Sequence, residues 1–393
     1  MLNITNFAGY NKPQPDIMSV ELIQVKNRKQ LRDFVEFPNT LYKDSKYYVP
    51  KLSMDELSTL DPKKNPAFEF SEAALYLAYK DGKLAGRVAA IVNHKANKKW
   101  NHKEVRFGWI DYIDDLEVSK ALIDKVIEYG KAKGMEKIVG PLGFTDFDPE
   151  GMLVEGFEEM CTMVLLYNYP YYPKHMEALG FRKEIDWLEY KIFIPDSVPE
   201  RIERLAKIIP EKYGVRVRKI TRREIRKEKL GHKIFALVNE TYKNLYNFTQ
   251  LTEEMIDKYV NFYLGLIDLK YITLVEDKDK NIVAFGLSMP SIVNALRKCR
   301  GKLFPFGWYH IIKSLYFKHE DCVELLLIGV KAEYRNHGLL ALIFNDLIPR
   351  YNKAGFKYGE SNAELETNFM IQSPWDNFEF EQKKRRRVVY KDI

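Results

Sequence analysis

Three cysteines in 393 residues, Cys161, Cys299 and Cys322, are too few for a disulfide framework, and their odd number and wide spacing give no metal-ligand pattern. No metal site is expected, and a reducing cytoplasm fits such a chain. Long apolar runs are missing as well: none reaches the length that spans a bilayer, and no basic, apolar and cleavage regions of a signal peptide open the sequence. Charge of one sign is also scarce. The 62 basic residues exceed the 55 acidic ones by only 7, which favours anionic partners without choosing among phosphates, anionic lipid surfaces and nucleic acid. What is present indicates a folded globular protein, because 46% of the residues are hydrophobic and 13% aromatic. A chain of 393 residues is too long for one ordinary core, so two domains are expected.

Met1 to Asp16, with Asn, Gly and two Pro, reads as a flexible tail, taken to residue 18. Val20 to Val25 then reads as a strand, and Asn27 opens a helix. Ala73 to Tyr79 and Lys83 to Val92 form a hairpin about Asp81-Gly82. Val105 to Tyr112 is a further strand. Val118, Ala121, Leu122, Val126, Tyr129 and Ala132 share one face of a helix that Gly134 closes, and Lys137 to Gly140 is the next strand. The second half repeats this order. Val215 to Ile220 is its first strand, Ile225 to Tyr242 and Glu253 to Leu266 are helical, and Tyr271 to Glu276 pairs with Ile282 to Met289 about Asp279-Lys280-Asn281. Gly355 closes its main helix, and Tyr358 to Ser361 enters another strand. Two copies of one α/β unit, 19–195 and 200–393, joined through the polar Pro195 to Pro199, is the economical reading. The basic run Lys383 to Arg387 continues into Val388-Val389-Tyr390, so it reads as a last strand with its cations in solvent; no nucleic-acid partner is expected.

Val323 to Tyr351 (VELLLIGVKAEYRNHGLLALIFNDLIPRY) organises the second copy. An apolar run, a basic turn with a glycine, and apolar positions at helical spacing make a buried strand, a turn and a helix. A turn that feeds straight into a helix points unpaired N–H groups outward, and the helix dipole adds to their pull on an anion. Gly338 allows a phosphate close to the backbone, and Lys331 and Arg335 make the field positive. The first copy has Asp111, Asp114 and Asp115 in the corresponding place and no glycine before its helix, so carboxylates there would repel a phosphate.

The pattern Arg335-Asn336-His337-Gly338-Leu339-Leu340 resembles the R-x-x-G-x-G/A loop of the acyl-CoA N-acyltransferases of the GNAT superfamily, although its last small residue is here Leu340. In that family the loop follows the fourth strand and holds the pyrophosphate of coenzyme A. The resemblance implies an α/β fold of two tandem GNAT-like domains, each a mixed central sheet flanked by helices, the first without a coenzyme loop. It implies acetyl-CoA or acyl-CoA as co-substrate of the second domain, held by Ile328, Gly329, Val330, Arg335, Asn336, His337, Gly338, Leu339 and Leu340. Taken with GPLGFTDFDPEGMLVEGFEE, YNYPYY and KKRRRVVY, the chain looks like a tandem branch of the superfamily that includes bacterial ceramide-synthase-like proteins. Members of that branch are implicated in placing a fatty acyl group on the amine of a long-chain base.

Two other stretches bear on the acceptor. Gly140 to Glu159 is a long acidic loop in which Asp146, Asp148, Glu150 and Glu155 are candidates to attract a cationic amine or are simply solvated acids. Lys302 to Lys318 (KLFPFGWYHIIKSLYFK) crowds aromatic and aliphatic residues among lysines, with Trp308 and Tyr309 as candidate substrate contacts. Such a belt rests at a membrane interface, walls an apolar pocket, or is an ordinary buried helix. Peripheral contact with the inner membrane surface is the corresponding expectation.

Amide formation from a thioester needs a polarised carbonyl, a deprotonated amine and a protonated leaving thiolate. Alternation sets Glu324 on the face of Leu326 and Ile328, where burial would raise its pKa towards that of a base. Asn368 resembles the asparagine that follows the fifth strand in the family, but Trp375 stands where a tyrosine acid is expected. His310, His319 and His337 are substitutes by residue type alone, and Glu364 and Glu366 read as solvated acids beside the cleft. The reading is an acyl-CoA-dependent N-acyltransferase acting on a small-molecule or lipid amine. Its rivals are an aminoacyl-tRNA-dependent transferase of peptide cross-bridges and a non-catalytic ligand-binding or scaffold protein that has kept the fold, the latter favoured by Leu340 and Trp375. Pro349 should kink or end the helix that contains it.

Overall fold

The computed structural model describes residues 20–368 and 372–393, so the tail assigned to 1–18 lies outside the described residues. The first half runs β1 (Glu21–Gln24), α1 (Arg28–Leu41), α2 (Ser53–Thr59), β2 (Ser71–Lys80), β3 (Lys83–Asn93), α3 (His94–Trp100), β4 (Glu104–Tyr112), α4 (Leu116–Ala132), β5 (Lys137–Gly140), β6 (Met152–Glu155), α5 (Tyr171–Ala178) and β7 (Arg182–Phe193). The second runs α6 (Glu200–Tyr213), β8 (Val215–Arg218), α7 (Arg222–Lys227), α8 (Leu230–Tyr242), α9 (Glu253–Leu266), β9 (Ile272–Asp277), β10 (Ile282–Pro290), α10 (Val293–Cys299), α11 (Gly307–Tyr316), β11 (Cys322–Val330), α12 (Leu340–Ala354), β12 (Tyr358–Ser361), β13 (Glu364–Leu365) and β14 (Phe380–Asp392).

Local chemistry explains several boundaries. Asn27 and Gln30 cap α1 reciprocally, the Asn27 side chain accepting the Gln30 amide at 2.9 Å and the Gln30 side chain accepting the Asn27 amide at 3.3 Å. Residues 225–242, read as one helix, are two, because Lys229 between α7 and α8 takes a left-handed backbone (φ +49°). Pro349 does not end α12, which runs through it to Ala354.

The strands join in one mixed sheet whose order is β1-β2-β3-β4-β5-β14-β7-β12-β11-β10-β9-β8. Each half closes with a strand of the other. β7 leaves the first half to pair with β12, while β14, at the end of the chain, returns to pair with β5, and the two pair with each other between. Charge sets this central register. Glu189 of β7 accepts from Arg386 at 2.5 Å and from Lys384 at 3.1 Å, with all three side chains no more than 2% exposed. Asp186, two positions from Leu188, holds Arg387 at 2.8 Å and Arg385 at 3.2 Å. The basic run is therefore not a solvated face: Lys384 to Arg387 are matched by acids on β7, Lys383 pairs with Glu381 and Glu159, and removing one buried partner would strand a charge at a cost of about 3–5 kcal/mol.

Candidate active site

β11 and β12 are parallel neighbours only where Cys322 to Leu325 face Tyr358 to Ser361. Beyond that they part. The last bonds across the fork run from the Asn362 amide to the Leu325 carbonyl at 3.2 Å and from the Asn362 side chain to the Leu326 carbonyl at 3.5 Å, after which β13 turns to β7. On its other edge β11 stays paired with β10, with one irregularity: Leu287 faces Leu327 and Ser288 faces Leu325, so Leu326 is an extra, bulged residue. Past the bulge Lys331 donates its amide to the Val283 carbonyl at 2.8 Å, so alternation along the strand turns the backbone groups of Ile328 and Val330 into the fork. The Tyr242 hydroxyl meets them there, donating to the Ile328 carbonyl at 2.9 Å. The N–H groups of Ile328 and Val330 face whatever enters.

A cavity of about 420 Å³ occupies the fork. Its walls are largely apolar, formed by Leu325 to Val330, by Leu340, Ile343, Phe344 and Leu347 of α12, and by Trp187, Leu245 and Phe248. At one end stand Arg335 and the start of α12; elsewhere its lining includes Asp146, Asp148 and Glu150, which the first half contributes. At the first of these places Gly338 takes a left-handed backbone (φ +73°), and the amides of Gly338, Leu339 and Leu340 have no acceptor among the described residues. Arg335 lies beside them, held by the Thr241 carbonyl at 3.2 Å. Asn336 is exposed, His337 stacks on Tyr213 with ring centres 4.0 Å apart, and the Leu339 side chain is anchored in the core beside Ile209. Unpaired amides, a guanidinium and a helix N-terminus suit an anion such as a pyrophosphate. Leu340, in the place of a small residue, turns its side chain to the cavity wall.

The acidic loop is built in rather than solvated. Asp146 accepts the Thr249 amide at 2.9 Å and Asp148 accepts the Thr145 amide at 3.0 Å. Burial pushes their carboxyls up to about 6 and about 7, and burial first, then Asp146, raise Glu150 well above its ordinary value. Burial is the first cause of all three shifts, and a cation brought close would favour their ionised forms. Glu155 is not part of it: its side chain is exposed and ion-paired to Arg385 at 3.1 Å.

The acid best placed for base chemistry is Glu364, which reads in sequence as a solvated residue. It lines the cavity with Asn368, and the Trp375 indole donates to its two oxygens at 3.1 and 3.3 Å. Withdrawal from solvent pushes its carboxyl up to about 8, against the lowering effect of hydrogen bonds from Trp375 and Ser361. Trp375 thus positions an acid instead of supplying one. Glu324 does not line the cavity. The bulge at Leu326 puts it out of phase with Ile328, and it turns instead to Ser291 Oγ (3.0 Å) and the Met163 amide (3.2 Å), where burial first, and Glu360 second, raise it to about 7. Glu366 lies on Lys183 at 2.8 Å, and Trp308 and Tyr309 are exposed on α11, away from the cavity lining. Tyr242 was invisible to motif reasoning; burial raises its hydroxyl to about 12, so it keeps its proton.

A forked, bulged strand followed by an open anion turn, present in the second of two fused α/β repeats, is the architecture of a tandem GNAT fold, and this chain has it. The tandem GNAT protein from the clavulanic acid biosynthesis pathway superposes with a TM-score of 0.54 at 12% identity, over 95% of this chain and 98% of that one. A GCN5-related glucosamine N-acetyltransferase region of a fungal multi-domain β-N-acetylglucosaminidase gives 0.55 at 13% identity, over 99% of this chain and 40% of that one. In sequence the chain is similar to protein YghO of Escherichia coli, 28% identical over 377 residues (93% of this chain, 94% of the relative). It is also similar to the bacterial ceramide synthase of Caulobacter vibrioides, 26% identical over 320 residues (80% and 82%). It matches no known family model. Among the described residues no helix is long and apolar enough to cross a membrane.

Proposed function

We propose that this chain is an acyl-CoA-dependent N-acyltransferase whose acceptor is an amphipathic, long-chain primary amine. One observation carries the reading: the fork between β11 and β12 opens into a largely apolar cavity lined at one place by an anion turn and at another by three half-buried acids. A thioester seated with its pyrophosphate on the amides of Gly338 to Leu340 would run along β11 into the fork. The Ile328 and Val330 amides would hold the carbonyl oxygen as negative charge develops on it. Asp146, Asp148 and Glu150 would draw in the cationic head of the acceptor, and Glu364 would take a proton from the attacking nitrogen. As the N–C bond forms and the C–S bond breaks, Tyr242 is the donor within the fork able to protonate the departing sulfur. Similarity to a protein named bacterial ceramide synthase supports a long-chain amine as acceptor, as do the apolar walls.

Calorimetric titration with acetyl-CoA and palmitoyl-CoA, followed by thiol release in the presence of a long-chain and a short-chain amine, tests the proposal. Micromolar binding, tighter for palmitoyl-CoA, with thiol release only on addition of the long-chain amine, is the expected outcome. Absence of binding to either thioester would remove it and leave a ligand-binding protein that has kept the fold.

A further inference from the structure

The segment between β10 and β11 is not used by the chemistry above. Within it, α11 buries Gly307, Ile311, Ser314 and Leu315 on one face, against the same apolar cluster that contains Leu287 and Leu326 of the cavity wall. Its other face carries Trp308, Tyr309, Ile312 and Tyr316, all exposed, and the turns before and after it expose Phe304 (74%), Phe306 (71%) and Phe317 (80%). A helix apolar on both faces is buried on both in a protein core or at a bilayer; here one face has no protein cover. Seven of the 11 large hydrophobic side chains exposed among the described residues fall in these 14 positions, so the patch is a built feature and not scatter.

Charge says what covers it. From Arg297 to Lys318 the chain has six basic residues and no acidic one. Lys302 reaches Glu36 at 3.2 Å, while Arg297, Lys298, Arg300, Lys313 and Lys318 have no ion-pair partner among the described residues. The Trp308 indole N–H is satisfied by the Pro305 carbonyl at 3.0 Å, so the ring can lie among acyl chains without leaving an unpaired donor. Protruding phenylalanines, a Trp and Tyr belt and a cationic rim in which, among the described residues, only Lys302 is ion-paired and Lys298 lies near Glu320 match the headgroup layer of an anionic bilayer. We propose that α11 and its flanking turns dock the protein on anionic membrane surfaces, with Phe304, Phe306 and Phe317 inserted and the basic rim on the headgroups. The inference is independent of the proposed acyl transfer.

The test is co-sedimentation of the full chain with vesicles of mixed phosphatidylglycerol and phosphatidylcholine, and with phosphatidylcholine alone, at low and high salt. Binding to the mixed vesicles, weakened by salt, is expected. Lys298→Glu, Lys313→Glu and Lys318→Glu together should weaken it by at least about a hundredfold, since each cation near an anionic surface is worth about fivefold and each new carboxylate adds repulsion. Phe304→Ser, Phe306→Ser and Phe317→Ser together should abolish it, while circular dichroism and palmitoyl-CoA binding stay as in the parent, because these side chains lie on the surface. Binding to neither vesicle, or binding that survives both triple variants, would overturn the proposal. So would a parent that sediments as a dimer and a phenylalanine variant that sediments as a monomer, which would assign the face to a second copy.

Discussion

At the start of α4 the Asp115 carboxylate accepts the amides of Glu117 (2.9 Å) and Val118 (3.3 Å) and pairs with Lys80; at the start of α12 no side chain caps the helix at all. The two forks differ in the same sense. β4 carries a bulge like that of β11, since Arg87 faces Asp111 and Ala89 faces Gly108, with Trp109 at φ +44°. Yet the chain after β5 stays in that fork: Leu142 donates to the Phe107 carbonyl at 2.9 Å, and its own carbonyl oxygen would lie 2.4 Å from a Cβ on Gly108. What remains beyond is knitted shut by the Tyr42 hydroxyl, 2.8 Å from Asp111 and 2.7 Å from the Tyr172 hydroxyl, and by the Arg87–Asp111 pair at 2.7 Å. The bulged strand is common to both repeats, and what differs between them is what fills the turn and the fork. The filled repeat contributes the acidic loop to the open one.

The sharpest way to break this contrast is at Glu364, because the filled fork has Pro141 and Leu142 after its strand and no acid there. Glu364→Gln should lower kcat by about 10²–10⁴-fold, the usual weight of a general base, and leave palmitoyl-CoA affinity unchanged by calorimetry. The sign of the pH effect follows from burial. A carboxyl raised to about 8 holds its proton at neutrality and acts as a base only when ionised, so kcat should climb with pH through about 8 and level off above it. The Gln variant should lack that limb; a parent profile flat from pH 6 to 9 would put the base elsewhere.

A smaller effect is expected at the turn. Gly338→Asp sets a carboxylate where the pyrophosphate would sit and brings a side chain to within 3.2 Å of Ile209. It should weaken thioester binding by at least about fivefold, from repulsion of roughly 1 kcal/mol in water and more where solvent is excluded. Gly338→Asn has the same shape without the charge, and asparagine tolerates φ +73°. Equal losses in both variants would mean that space, and not the anion field, decides.

Much of this was legible in the sequence where a local rule governed. Hairpin turns, the glycine-closed helices and the strand, turn and helix at Val323 to Tyr351 all announce themselves through period and turn chemistry. What escaped lies in non-local contacts. The exchange of β7 and β14 depends on pairing across nearly 200 residues, so Lys384 and Arg386 read as solvated until Glu189 is seen opposite them. Glu324 was misplaced by a one-residue bulge, which no alternation rule reveals. Glu364 and Tyr242 carry no motif; their meaning comes from Trp375 and from the Ile328 carbonyl, partners 11 and 86 residues away.

The subtlest form of the contrast is to uncap the first half. Asp115→Ala removes the cap of α4 and should lower the unfolding free energy at neutral pH by about 1 kcal/mol, read from the shift of the denaturant midpoint. Although partial burial acts to raise the Asp115 carboxyl, Lys80 and the two amides more than offset it and hold the carboxyl below its usual value. A depressed carboxyl stabilises the fold above the unfolded value of about 4 and loses that contribution as pH falls through the folded one, so parent and variant should converge on acidification. The bared helix should still bind no second thioester, since Leu142 keeps the fork filled and nothing removes Asp114, which His175 holds at 3.1 Å. A second binding event in the calorimeter would show that the Asp115 carboxylate alone keeps an anion from this turn, whatever fills the fork behind it.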